Sequence, residues 1–191
     1  MAEAPRGTRA RPRADPRRRE RIARAAISVV AERGVDGLTH RAVAAVADVP
    51  LGSTTYHFQT LDDLLQEALR HAADDNIGAI RAWEEQLAPD VGFADAMTDL
   101  VMGYVGERTS TVVEYDLYVA ALHRPALRPV GAAWDAALVE VFGRRTDPLT
   151  GRVLAGLFCG LLMQVAMSDP PPGRAEIRAV LGRAIDGPTA A

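Results

Sequence analysis

Residues 49–58 read "VPLGSTTYHF". Pro50 opens the stretch, Gly52 follows, and Ser53 to His57 are middling helix formers that each carry a hydrogen-bonding group. Helical patterns stand on both sides. Upstream, Val43 and Val46 sit among Ala42, Ala44, Ala45 and Ala47, a slim helix that begins after the good N-cap Thr39. It stops at Asp48, because Pro50 drives Val49 out of the α region. Downstream, Thr60 is placed to cap a long helix with Asp62 and Asp63 in its first turn, where the helix dipole favours acids. A short segment of poor helix propensity and rich hydrogen-bonding capacity, entered through a tight turn, suits a helix-turn-helix. The recognition helix of such a unit lies in the major groove of DNA and meets base edges and phosphates with its first residues. On this reading Gly52 lets the backbone approach, Ser53, Thr55, Tyr56 and His57 supply donors, and Phe58 returns to the core.

Outward from this stretch the chain is helical throughout. Ile22, Ala25, Ala26, Val29 and Val30 recur at spacings of three and four and predict a first helix from Pro16, ended by Gly34, with Val35 folding back as its hydrophobic contact. His40 reads as a solvated surface residue. Beyond residue 60 helices are expected at about 61–87, 93–107, 111–123, 126–144, 149–167 and 174–185, separated by ordinary turn and cap residues. The expected fold is all-α, with nine helices and no strand.

The 191 residues carry a net charge of -3. Residues 1–60 hold eleven arginines against six carboxylates, and residues 61–191 eleven against nineteen, so a basic front precedes an acidic body. That asymmetry suggests a polyanion partner for the front alone. All 22 cations are arginine, in the body as much as in the front, which points to a compositional bias of the host genome. Residues 1–15 read as a disordered arginine-rich arm, with a solubilising role and a reach along DNA both open. The single cysteine, Cys159, excludes an internal disulfide and fits a reducing cytoplasm. No apolar leader follows Arg17-Arg18-Arg19, and the fifteen-residue apolar run 153–167 contains Gln164, so it reads as a buried helix and not a membrane span.

The segment from Arg18 to Leu65 (RRERIARAAISVVAERGVDGLTHRAVAAVADVPLGSTTYHFQTLDDLL) resembles the N-terminal domain of the TetR family of transcriptional regulators. The resemblance rests on Glu32-Arg33-Gly34 closing the first helix, Leu38-Thr39 ahead of "VAAVADV", Gly52 before "TYHF", and the "LDDLL" helix start, in order and at matching spacing. It implies a dimer of all-helical subunits, with three helices that bind DNA (residues 16–60) and about six that bind a ligand and dimerise (61–188). By resemblance, Thr39 and Arg41 touch phosphate, Leu51, Gly52 and Ser53 meet base edges or the groove floor, and Thr55, Tyr56 and His57 meet backbone phosphates and neighbouring bases. The sequence departs from the family at four places. Asp48 stands where glycine is usual, Thr55 where tyrosine is usual, Leu61 where a lysine is common, and Leu51 where a polar residue is frequent. Leu51 suits a thymine methyl.

In the body, residues with a polar tip on an apolar helix are the ligand candidates: Tyr104, Tyr115, Tyr118, His123 and Trp134, with Phe158 as an aromatic wall. Asp116 and Glu114 could pair with a cationic ligand, but they read better as solvated face. Ala155, Gly156, Cys159 and Gly160 form a small-residue stripe with Met163 beside it, open to pairing or to packing inside its own subunit, and Ile177 and Leu181 lie on an apolar face of the last helix. By resemblance these two helices build a four-helix bundle with a second copy. Glu67, His71, Asp74 and Asp75 share a helix face at metal-like spacing but read as a wet face, so no metal or cofactor is expected. No nucleophile–base pair or phosphate loop shows persuasive spacing. The expected function is a ligand-responsive regulator, a repressor released from a palindromic operator on double-stranded DNA by a small molecule. Two other readings stay open: a DNA-binding regulator without an effector, and a helical enzyme.

Overall fold

The structure is a computed structural model, and it describes residues 16–187; the expectations for the arginine arm at 1–15 lie outside the described residues. Nine α-helices follow one another among the described residues: α1 (Pro16–Arg33), α2 (His40–Val46), α3 (Leu51–His57), α4 (Leu61–Gln86), α5 (Phe93–Gly103), α6 (Arg108–His123), α7 (Arg128–Gly143), α8 (Pro148–Met167) and α9 (Arg174–Asp186). Short 3-10 turns occupy Val35–Gly37, Tyr104–Glu107 and Pro125–Leu127.

The first three helices are built by local signals. Gly34 ends α1 at φ 68°, with its N–H on the Val30 carbonyl at 2.8 Å. Thr39 Oγ1 accepts from the Ala42 N–H at 3.1 Å and caps α2. Asp48 takes φ 51°, the left-handed position that lets α2 turn sharply into α3. Thr54 and Phe58 are buried on the inner side of α3, and Thr54 Oγ1 donates to the Leu51 carbonyl at 2.8 Å. The burial of Thr54, and of Phe58 as part of the hydrophobic core, is what holds so poor a helix former in place.

Thr60 and Asp63 form a reciprocal capping box at the start of α4. This 26-residue helix packs on α1, α6 and α7, so it runs from the head into the body. Its far end is tied down by Arg145, whose guanidinium donates to the buried Glu84 carboxylate at 2.6 Å and to the carbonyls of Glu84 and Leu87. α7 and α8 make the closest pairing. A Cβ on Gly151 would stand 2.7 Å from the Val139 carbonyl oxygen, so the two backbones cross where only glycine fits.

Two expectations about the fold are corrected. The helix expected over 93–107 ends at Gly103 and tightens into a 3-10 turn, and α6 begins at Arg108, inside the break expected at 108–110. No proline stands there to force a break, and Ser110 Oγ and Thr111 Oγ1 instead bond back to the Glu107 carbonyl, the pattern of residues already inside a helix. His40 is half-buried rather than solvated, with Nδ1 shielded from solvent and lacking a hydrogen-bond partner.

Candidate functional sites

The outer side of α3 is bare. Leu51, Gly52, Thr55 and Tyr56 are exposed, Tyr56 at 79%, while Ser53 and His57 are half-exposed. The Tyr56 and His57 rings meet edge to face at 5.2 Å. Thr39 and Arg41, at the start of α2, are exposed too. All eight candidate DNA-contacting residues therefore lie on the two helices of one turn, away from the body. Gly52 is informative because the protein itself does not need it. Its φ is ordinary for a helix and an added Cβ would meet nothing within 4 Å. Gly52 is the second residue of α3, and nothing in the packing of the described residues calls for a glycine there.

A narrow cavity lies in the body between α4, α6, α7 and α8. About 360 Å³ of space separates its walls, but the centre of a water molecule fits in only about 20 Å³ of it. Tyr115, Tyr118, Trp134 and Phe158 line it, as four of the six ligand candidates. Trp134 and Tyr118 stand edge to face at 5.7 Å. Tyr118 OH donates to the Asp135 carboxylate at 2.9 Å, and Tyr115 OH donates to the Cys159 carbonyl at 2.8 Å. Tyr104 reaches the same wall from a neighbouring cleft, 5.8 Å from Phe158. His123 is not part of this group; it is exposed at the end of α6, one helical position outside the face that carries Leu117 and Ala121 inward.

Sequence reasoning missed Asn76 and misjudged Glu114. Asn76 is 7% exposed and donates through Nδ2 to both Glu114 Oε2 at 3.0 Å and Tyr104 OH at 3.2 Å. Its signal was legible: a lone amide on the face of α4 that otherwise carries Ala72, Ala73, Ile77 and Ile80. Glu114 is half-buried and walls both clefts, not a solvated face. Burial, reinforced by the carboxylates Glu107 and Asp75, pushes its carboxyl up to about 7. Burial likewise raises the Tyr104 and Tyr118 hydroxyls to about 12, helped by Glu114 and Asp135 respectively, and raises the Tyr115 hydroxyl and the Cys159 thiol. The face with metal-like spacing is engaged by arginine: Glu67 and Asp74 hold Arg70, and Asp75 holds Arg24 at 2.9 Å.

The third feature is apolar surface on α8. Leu149, Val153, Gly156, Gly160, Met163 and Met167 recur at alternating spacings of four and three and share one stripe. Leu149 is 72% and Met167 79% exposed, and Val180 on α9 is exposed as well. Gly156, Gly160 and Met163 therefore lie where sequence reasoning expected a pairing surface. Ala155, Ile177 and Leu181 do not; they are buried inside their own subunit, and Cys159 turns toward the cavity. The reason is that α9 has one apolar face and spends it on α5 and α8. α8 is long and apolar enough to cross a membrane, yet Leu154, Phe158, Leu161, Leu162 and Val165 pack it into the bundle core.

Residues 88–187 match the family described as "Tetracyclin repressor-like, C-terminal domain". None of the curated proteins matches the chain. Among solved structures, the multidrug binding protein EbrR complexed with imidazole is 45% identical, covering 93% of this chain and 98% of that one, with a TM-score of 0.81. EbrR complexed with ethidium is 44% identical over 88% of this chain and 98% of that one, with a TM-score of 0.79. A TetR-family member from Streptomyces coelicolor A3 (SCO1917) is 45% identical over 89% and 99%, with a TM-score of 0.78.

Proposed function

The chain belongs to the TetR family of transcriptional regulators, and from that premise we propose that it is a homodimeric repressor released from a palindromic operator by a small aromatic cation. The observation that carries the DNA-binding half is the bare side of α3, with a glycine in its first turn that the packing of the head does not call for. A groove floor approaching that backbone gives Gly52 its purpose. The exposed stripe on α8 supplies the pairing surface, which places two recognition helices roughly 34–36 Å or a multiple apart. A protein that works on DNA with a free, half-buried cysteine belongs in the cytoplasm.

The ligand half rests on Glu114. The charges acting on this carboxyl are themselves negative, and aromatic rings flank it. A planar cation relieves the repulsion and stacks on the rings, as the ethidium held by EbrR is equipped to do. α4 carries Asn76 at the cavity and contacts the head through α1, so a ligand that prefers a displaced α4 lowers operator affinity by linkage. One observation favours the effector-free reading: the cavity admits barely one water, so a ligand must first open it.

The test is to select duplexes from a randomised pool with the wild-type protein, then titrate ethidium into the complex. Enrichment of an inverted repeat, and its release by ethidium, support the proposal. A pool that stays random sinks the DNA-binding half. Dye that binds without releasing the duplex sinks the switch.

A further inference from the structure

Arg19 stands in the first turn of α1, a poor place for a cation because the helix dipole there is positive and no acid accompanies it. Its tertiary contacts explain the choice. Nη1 donates to the backbone carbonyl of His57, the last residue of α3, at 3.1 Å. The guanidinium lies 4.5 Å over the ring of Phe58, which is 1% exposed. Nε faces Glu67 Oε1 on α4 at 3.4 Å. One side chain thus touches the first helix of the head, the end of the recognition helix and the long helix that leads to the cavity. The carbonyl it holds is one of the orphan acceptors at a helix C-terminus, where a cation is favoured. The ring stack and the planar fork are chemistry a lysine cannot reproduce.

We infer that Arg19 is a positioning residue for DNA reading: it clamps the C-terminal end of α3 and so sets the direction in which Tyr56 and His57 leave the head. It rests on the proposed DNA-binding role of α3. Sequence-specific contacts depend on that direction, because base edges tolerate little misplacement. Phosphate attraction does not, because it is long-ranged and carries no sequence information. A clamp therefore affects specificity more than overall affinity.

The experiment compares wild type, Arg19→Gln, Arg19→Lys and Arg70→Gln on two duplexes: one selected by the wild type from a randomised pool, and a scrambled version of equal length. Arg70→Gln breaks the other arginine pair of Glu67 but leaves the His57 clamp intact. Arg19→Gln is expected to weaken the selected duplex about tenfold and the scrambled one about twofold or less, the size expected for losing a charge-assisted hydrogen bond. Arg19→Lys falls between, and Arg70→Gln keeps the wild-type ratio. Equal losses on both duplexes, with the log–log salt slope reduced by about one, make Arg19 a phosphate ligand and overturn the inference. So does a ratio that Arg70→Gln lowers as much as Arg19→Gln does, or that neither variant changes. A wild type that selects no duplex at all removes the DNA-binding reading, and this inference with it.

Discussion

Replacing Glu114 by glutamine removes a charge while keeping the oxygen that Asn76 Nδ2 bonds at 3.0 Å. Burial, Glu107 and Asp75 hold this carboxyl at about 7 against an ordinary 4.5, so the folded chain keeps a proton there that the unfolded chain has released. The sign follows. A carboxyl whose folded proton affinity is raised contributes stability that is full below about 4.5 and is lost as pH rises through about 7. At about 1.4 kcal/mol per tenfold in proton affinity, ionising Glu114 inside the cleft costs the fold about 3.5 kcal/mol at most, and water at the mouth of the cleft reduces that to about 1–3 kcal/mol. Glu114→Gln is spared this cost.

The assay is thermal unfolding of both proteins from about pH 4 to pH 8, free of ligand. The two midpoints should coincide at the acid end and diverge upward through neutrality, with the variant roughly 2–10 °C higher at about pH 8. Carboxyls of opposite behaviour, such as Glu67 and Asp63 beside their arginine and backbone donors, cancel in the difference because both proteins keep them. The ligand reverses the advantage. Ethidium affinity of the wild type should climb as pH rises through about 7, and that of Glu114→Gln should stay flat and weak. Superimposable melting profiles refute the reasoning about burial. Equal ethidium affinity at about pH 8 refutes the reasoning about the cation.

Gly52→Ala should stabilise the isolated protein by up to about 0.5 kcal/mol in denaturant melts, because the site lies in the first turn of α3 and has room for a methyl, and should still weaken a selected duplex in a gel shift. Met163→Glu, set in the exposed stripe of α8, should shift the protein from dimer to monomer in sedimentation equilibrium, and an unchanged dimer would move the pairing surface elsewhere. Arg145→Ala should cost about 1–3 kcal/mol in chemical unfolding, because it strips the nearer partner from the 6%-exposed Glu84, leaves only Arg144 at 3.6 Å, and removes the donor to the Leu87 carbonyl at the end of α4.

The head was legible because its determinants are local. A glycine after the last apolar position, a threonine three residues before the amide it caps, and an aspartate tolerant of positive φ are signals contained within a few residues, and the structure carries each of them out at Gly34, Thr39 and Asp48. What was not legible there is Arg19, because its partners His57 and Glu67 lie 38 and 48 residues away. Among three consecutive arginines in one sequence run, nothing local marks the one that reaches a carbonyl across the head.

The body was legible in kind and not in orientation. Periodicity locates the inner face of a helix only where polar residues mark the outer one. α6 offers such marks, and they mislead at Glu114, which looks like a solvated acid until Asn76 of α4 is brought against it. α8 offers almost none between Val153 and Met167, so a stripe one residue off in register satisfied the sequence equally well. Ala155 and Cys159 and their neighbours Gly156 and Gly160 are all small, yet the first pair turns to the core and cavity and the second pair to the exposed side. What fixes the rotation of α8 is Gly151, where the crossing with α7 admits no Cβ, and Phe158, which must fill the aromatic cluster with Tyr104 and Phe142. Both constraints come from other helices. The same two contacts therefore set which side of α8 faces the cavity and which side is left exposed for the proposed pairing, so both proposed roles of this helix hang on one rotation about its axis.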